Sequence, residues 1–86
     1  MTAPLVAILD DEPAIRSMLA QALTEAGFRT MAFGRATEFE AALRSTTPDV
    51  CLVDLSLPDR DGLSLVHRLA LEQGATVIII SGRAQV

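Results

Sequence analysis

The chain has no surplus of positive charge: 7 basic residues face 11 acidic ones, for a net charge of −4. That balance excludes a surface built mainly to neutralise phosphate backbones, which needs clustered Lys and Arg. No lysine occurs; all 7 of those basic residues are Arg, and His67 is the single histidine. The lone cysteine, Cys51, has no partner for an internal disulfide and fits a reducing compartment. No apolar run approaches the roughly 20 residues that cross a bilayer. Asp10, Asp11 and Glu12 close the first apolar segment too early for a signal peptide. Repeats, low-complexity tracts and linkers are also missing. What is there is 86 residues, 50% hydrophobic and 21% charged, enough for one folded domain and no second. The expectation is a small, acidic, cytoplasmic domain with no membrane contact.

Two periodicities alternate along the chain. Leu5-Val6-Ala7-Ile8-Leu9 is a continuous apolar run, the pattern of a strand buried on both faces. Pro13 sits where a helix begins and no backbone donor is needed. Ile15, Leu19, Ala22, Leu23 and Ala26 then form one stripe at helical spacing, and Gly27 stops it. Arg29 to Phe33 reads as a second strand. Thr37 with Glu40 three residues later predicts a capping box, opening a short helix that turns Phe39, Ala42 and Leu43 inward. After Pro48 and Asp49, Val50-Cys51-Leu52-Val53 forms a third strand ending at Asp54. A loop with Pro58 and Gly62 leads into a helix burying Leu65, Val66 and Leu69, stopped by Gly74. Thr76 to Ile80 is a fourth strand, closed by Ser81 and Gly82. Strictly alternating strands and helices imply an α/β fold: a doubly wound parallel sheet with right-handed crossovers and helices on both faces. The simplest winding gives the strand order 2-1-3-4, with a ligand site beyond the carboxyl ends of the strands.

On that scheme the acids converge. Asp10 and Asp11 follow strand one, Asp54 ends strand three beside it, and Ser81 ends strand four. Taken singly, each has an ordinary explanation. Asp10, Asp11 and Glu12 favour a helix N-terminus, Asp54 accepts hydrogen bonds at a loop start, and Ser81-Gly82 is a turn. Their coincidence at one end of adjacent strands points instead to a site. Carboxylates brought together repel one another unless they share a proton or a cation. Mg²⁺, a hard ion that takes oxygen ligands and keeps its waters, resolves the repulsion and leaves a position for a phosphate oxygen. An ionised carboxylate beside it can attack phosphorus and form an acyl phosphate, with Ser81 donating to a phosphoryl oxygen. Pro58 stiffens the following loop, and Gly62 is expected to allow it a backbone conformation other residues resist.

The segments Ile8-Leu9-Asp10-Asp11-Glu12, Leu52-Val53-Asp54 through Pro58 to Gly62, and Ile78-Ile79-Ile80-Ser81-Gly82 resemble the receiver domains of two-component response regulators. The resemblance spans nearly the whole chain and implies a flavodoxin-like fold. It implies that Asp54 is the phosphoacceptor and that Asp10 and Asp11 form the acidic pocket. It further implies that Asp11, Asp54 and the backbone carbonyl of Ser56 hold Mg²⁺, and that Ser81 moves toward the phosphoryl group on activation. The partner it implies is a histidine kinase or phosphotransfer protein that supplies the phosphoryl group from a phosphohistidine.

Receivers of this kind continue through another helix, a fifth strand and a fifth helix, with a lysine after strand five and an aromatic switch residue on it. The expectation is therefore a C-terminally truncated receiver over residues 1–86. Strand four would be an exposed apolar edge and the face carrying the first helix partly uncovered, which favours self-association. Cys51 and the methionines Met18 and Met31 read as packing residues, His67 and Arg60 as solvated side chains. The competing function is a receiver-like interaction or oligomerisation module that works without phosphorylation. A phosphatase of the haloacid dehalogenase type needs Asp-x-Asp after strand one, where Asp10 is followed by Asp11-Glu12, and it also needs a lysine. A dinucleotide site lacks its Gly-x-Gly-x-x-Gly. Direct nucleic-acid binding is not expected of this chain.

Overall fold

The structure is a computed structural model describing residues 2–59 and 61–80. Its elements run β1 (Leu5–Leu9), α1 (Pro13–Glu25), β2 (Arg29–Phe33), α2 (Ala36–Ala42), β3 (Val50–Val53), α3 (Gly62–Arg68) and β4 (Thr76–Ile79). A π-helical turn, Leu69–Gln73, continues α3 toward β4. All strands are parallel, in the order β2-β1-β3-β4, as the alternation predicts. The start of the central pair is tied by Asp49, whose carboxylate accepts from the Leu5 N–H at 2.8 Å.

Because side chains alternate across a strand, the sheet register sorts the core. Ala7 lies opposite both Met31 and Cys51, and Leu9 opposite both Phe33 and Val53. This face packs against α2 and α3 through Phe39, Leu65 and Leu69. The Phe33 and Phe39 rings meet edge to face, 5.8 Å between centroids, the arrangement their quadrupoles favour. Val6 and Ile8 point the other way and are also buried, on the side where α1 leans on β1 and β2. Cys51 is a core residue as expected, and burial raises its thiol pKa to about 11. His67 is exposed.

The glycine stops act as predicted. Gly27 (φ 99°) and Gly74 (φ 66°) adopt left-handed conformations that other residues resist. Several packing expectations change. The α1 stripe is shallower than its periodicity suggests: Ile15, Leu19 and Leu23 are half-buried, while Ala22 and Ala26 are exposed. The helix rests on the β1–β2 side of the sheet, so part of its stripe lacks a surface to meet. Met18 is 57% exposed, whereas Met31 packs against the core. The predicted apolar edge is present: Ile78 and Ile79 on β4 are each 48% exposed.

The capping box is not formed. The helix α2 begins at Ala36, with Arg35 at the N-cap and no cap from its side chain. The acceptor comes from a distant loop instead. The Asp59 carboxylate accepts from the Ala36 and Thr37 N–H groups at 3.0 and 3.1 Å, and Arg35 Nε lies 3.9 Å from it. Glu40 is drawn to α3, where it pairs with Arg68 at 2.7 Å.

Phe39, fully buried between α2 and the sheet, tests this core. Phe39→Ala should cost about 3–5 kcal/mol, a large part of the about 5–15 kcal/mol typical of a whole domain. Urea unfolding followed by far-UV circular dichroism should show the transition shifted to much lower denaturant or lost.

Candidate functional site

The pairing of β1 with β3 decides the site. Leu9 stands opposite Val53, so the next residues, Asp10 and Asp54, leave adjacent strands side by side. Their main chains stay in the sheet's hydrogen bonding: the Asp10 N–H donates to the Phe33 carbonyl at 3.1 Å and the Asp54 N–H to the Leu9 carbonyl at 2.9 Å. Both aspartates are buried, 4% and 5% exposed. Each carboxylate accepts from the backbone two residues on: Asp10 Oδ1 from the Glu12 N–H and Asp54 Oδ1 from the Ser56 N–H, both at 2.9 Å. Asp11 completes the group. Carboxylate oxygens of Asp10, Asp11 and Asp54 lie within 4.8 Å of one another.

This cluster is electrostatically uneasy. Burial is the main force raising the Asp10 pKa above its ordinary value, and the charges of Asp54, Asp11 and Glu12 raise it further. The hydrogen bond from the Glu12 N–H works in the opposite direction. Among the described residues Asp11 Oδ1 is buried with no hydrogen-bond partner, although buried polar atoms are normally satisfied. An unsatisfied anionic oxygen facing two further carboxylates is the donor set of a hard divalent cation. The residues present fit such an ion.

The other predicted residues divide. Ser56 is half-buried and binds Asp54 through its own N–H. Pro58 is exposed on the loop. Gly62 matters, but for another reason than the one expected: its φ is not positive. A Cβ there would stand 2.6 Å from Leu55 Cα and 2.7 Å from the Leu55 carbonyl oxygen, so Gly62 is the clearance that lets α3 start against the segment after Asp54. Asp61 caps that helix by accepting from the Leu63 N–H at 3.1 Å. Ser81 and Arg60 lie outside the described residues. The Ile80 N–H donates to the Val53 carbonyl at 3.0 Å, which brings the end of β4 alongside the end of β3.

The sequence reading missed two residues near the site. Arg16 sends its guanidinium back along α1, and Nη1 donates to the Asp10 main-chain carbonyl at 2.9 Å. Asp59 ties the loop that follows Asp54 to the start of α2. Neither leaves a local signal, because each partner is chosen by the folded chain.

Asp10 and Asp59 should shift stability with pH in opposite senses. The raised Asp10 pKa means that the folded state prefers its proton, so stability falls as pH rises through that raised value. Without divalent cations, Asp10→Asn should be more stable than the parent chain at neutral pH, and the gap should close as the pH falls into the carboxylate range. The Ala36 and Thr37 N–H groups and Arg35 hold the Asp59 carboxyl below its usual range. Its contribution is therefore present above the ordinary carboxylate value and lost as pH falls through the lowered one. Asp59→Ala should be less stable at neutral pH and converge with the parent in acid. Urea midpoints across pH read both gaps, and gaps that do not vary with pH would contradict the assignments.

Comparison with known proteins agrees with this site. Residues 6–86 match the family model of the response regulator receiver domain. The chain is 40% identical over 77 residues to the regulatory protein VirG of Agrobacterium tumefaciens, covering 90% of this chain and 29% of that protein. It is similar to the solved BeF3-activated receiver domain of nitrogen regulatory protein C: 37% identity, TM-score 0.78, covering 96% of this chain and 68% of that one. A CheY-like receiver domain protein from Methanospirillum hungatei superposes with TM-score 0.89 at 27% identity, over 99% of this chain and 69% of that one. The chain thus spans less than a third of that curated relative and about two thirds of the solved receivers. The acid cluster at the carboxyl ends of β1 and β3, in a sheet ordered β2-β1-β3-β4, is where a receiver has its acidic pocket, and the chain belongs to the response regulator receiver domain family.

Proposed function

We propose that residues 1–86 form the greater part of a phosphorylation-controlled receiver in which Asp54 is the phosphoacceptor. Receiver domains are signalling modules that interact with histidine kinases or phosphotransfer proteins, and the donor inferred here is a phosphohistidine on such a partner. The observation that carries the reading is the triad, with Asp10 and Asp54 buried and an Asp11 oxygen that finds no hydrogen-bond partner among the described residues. Such an arrangement disfavours folding unless something positive is held there.

Asp11, Asp54 and the Ser56 carbonyl would hold Mg²⁺, with Asp10 completing the acidic wall. Bound there, the ion supplies positive charge to the phosphoryl oxygens and relieves the repulsion among the carboxylates. The chain's own part is positional. The Ser56 N–H holds one oxygen of Asp54, which orients the carboxylate for in-line attack. The new bond joins an Asp54 oxygen to phosphorus, the phosphorus–nitrogen bond breaks, and its electron pair leaves with the imidazole, which takes up a proton. Ser81 would donate to a phosphoryl oxygen. Added charge at the ends of β3 and β4 would then bias the adjoining loops and the surface they present.

The second reading, a module that binds a partner or a second copy without phosphorylation, draws on two observations. Both lie on β4: among the described residues Ile78 and Ile79 are each about half exposed, and together they form an apolar edge that a further strand could pair with. Intact-mass analysis after incubation with acetyl phosphate and Mg²⁺ separates the two. One Mg²⁺-dependent phosphoryl increment, lost in Asp54→Asn, is the expected result. A chain that stays unmodified both at 86 residues and when extended to the length of the solved receivers would overturn the phosphoacceptor role and favour the second reading.

A further inference from the structure

Arg16 sits one turn into α1, with its own N–H bonded to the Glu12 carbonyl at 3.0 Å. From there its side chain folds back, and Nη1 donates to the Asp10 carbonyl at 2.9 Å. That carbonyl belongs to the peptide joining Asp10 to Asp11. On its other side Asp10 is held by its N–H, which donates to Phe33 at the end of β2. Among the described residues Asp11 Oδ1 has no such restraint, so the Asp10–Asp11 peptide sets the position of the Asp11 Cα from which that carboxylate extends.

The guanidinium occupies a space that depends on Gly34, the residue after β2. A Cβ at Gly34 would stand 2.7 Å from Arg16 Nη1 and 3.2 Å from its Cζ, and only Arg16 atoms are among the nearest contacts. The φ of Gly34 is not positive, so its backbone conformation does not call for glycine. The missing side chain serves the arginine.

We infer that Arg16 is a positioning residue for the acidic pocket: it fixes the Asp10–Asp11 peptide so that Asp11 faces the cation position, and Gly34 is the clearance its guanidinium requires. The inference rests on the reading of the pocket as a cation site. The expected loss is that seen when groups holding metal ligands are removed, about 10–100-fold in affinity.

Isothermal titration calorimetry with Mg²⁺ tests it on the 86-residue chain. Arg16→Ala and Gly34→Ala should each weaken Mg²⁺ binding by about 10–100-fold, and the double variant should bind no more weakly than either single one, because both remove the same contact. Gly34→Ala should melt like the parent without Mg²⁺, since its methyl displaces only the far end of a flexible side chain; it therefore carries the test if Arg16→Ala does not fold. Parent-like Mg²⁺ affinity in Gly34→Ala, or losses that add in the double variant, would overturn the role of Arg16 while leaving the cation site intact. A parent chain that binds no Mg²⁺ would overturn the cation site itself and this inference with it.

Discussion

The parallel pairing of β1 with β3, in the register that sets Leu9 against Val53, governs everything chemical about this domain. One residue beyond that pair, the chain leaves the sheet on both strands, and on both strands the residue is aspartate. A one-residue slip would turn every side chain of the strand to the opposite face. In β3 it would separate the carboxylates and also take Cys51 and Val53 out of the core that α2 and α3 cover. Hydrophobic burial thus enforces the register, and the register enforces the crowding of like charges. The energy that holds Asp10 and Asp54 together comes from the apolar strands behind them.

The loops around the pocket then work as struts. Asp54 holds Ser56 through its N–H, Gly62 lets α3 begin against Leu55, and Asp59 reaches from the same loop to the first turn of α2. Arg16 performs the corresponding task on the β1 side, between the Asp10 carbonyl and the open space at Gly34. Each strut is a polar or close contact made where apolar packing ends. Asp59 and Asp54 share one short loop, which ties the start of α2 to the residues that follow the pocket. The two faces of the sheet differ as well. One is closed by Phe39, Leu65 and Leu69, while the α1 face and the β4 edge keep apolar side chains in contact with solvent.

Most of the architecture was legible in sequence because its signals are local. Apolar runs ending in acids marked β1 and β3, Pro13 marked the start of α1, and the glycines at 27 and 74 marked helix ends by conformations other residues avoid. The strict alternation of elements led to a parallel sheet in the order seen. With that order the juxtaposition of Asp10, Asp11 and Asp54 followed, since residues at corresponding strand ends must be neighbours. The Thr37–Glu40 pair misled, because a spacing that permits a capping box does not force one. Asp59 offers α2 a better acceptor from 23 residues away, and the helix starts at Ala36 to meet it. The depth of the α1 stripe was likewise hidden, since periodicity marks which residues share a side and says nothing of how much sheet lies beneath them.

The sequence by itself therefore determined the elements, their order and the identity of the clustered acids, all of which depend on periodicity, turn chemistry and chain connectivity. Only the tertiary structure decided that Asp11 keeps a buried oxygen without a partner among the described residues, that Gly62 is a clearance for the Leu55 backbone, and that Gly34 makes room for Arg16. Those facts depend on distances between segments far apart in sequence. Such distances arise when the sheet and its helices pack as solids, where a few tenths of an ångström separate contact from collision.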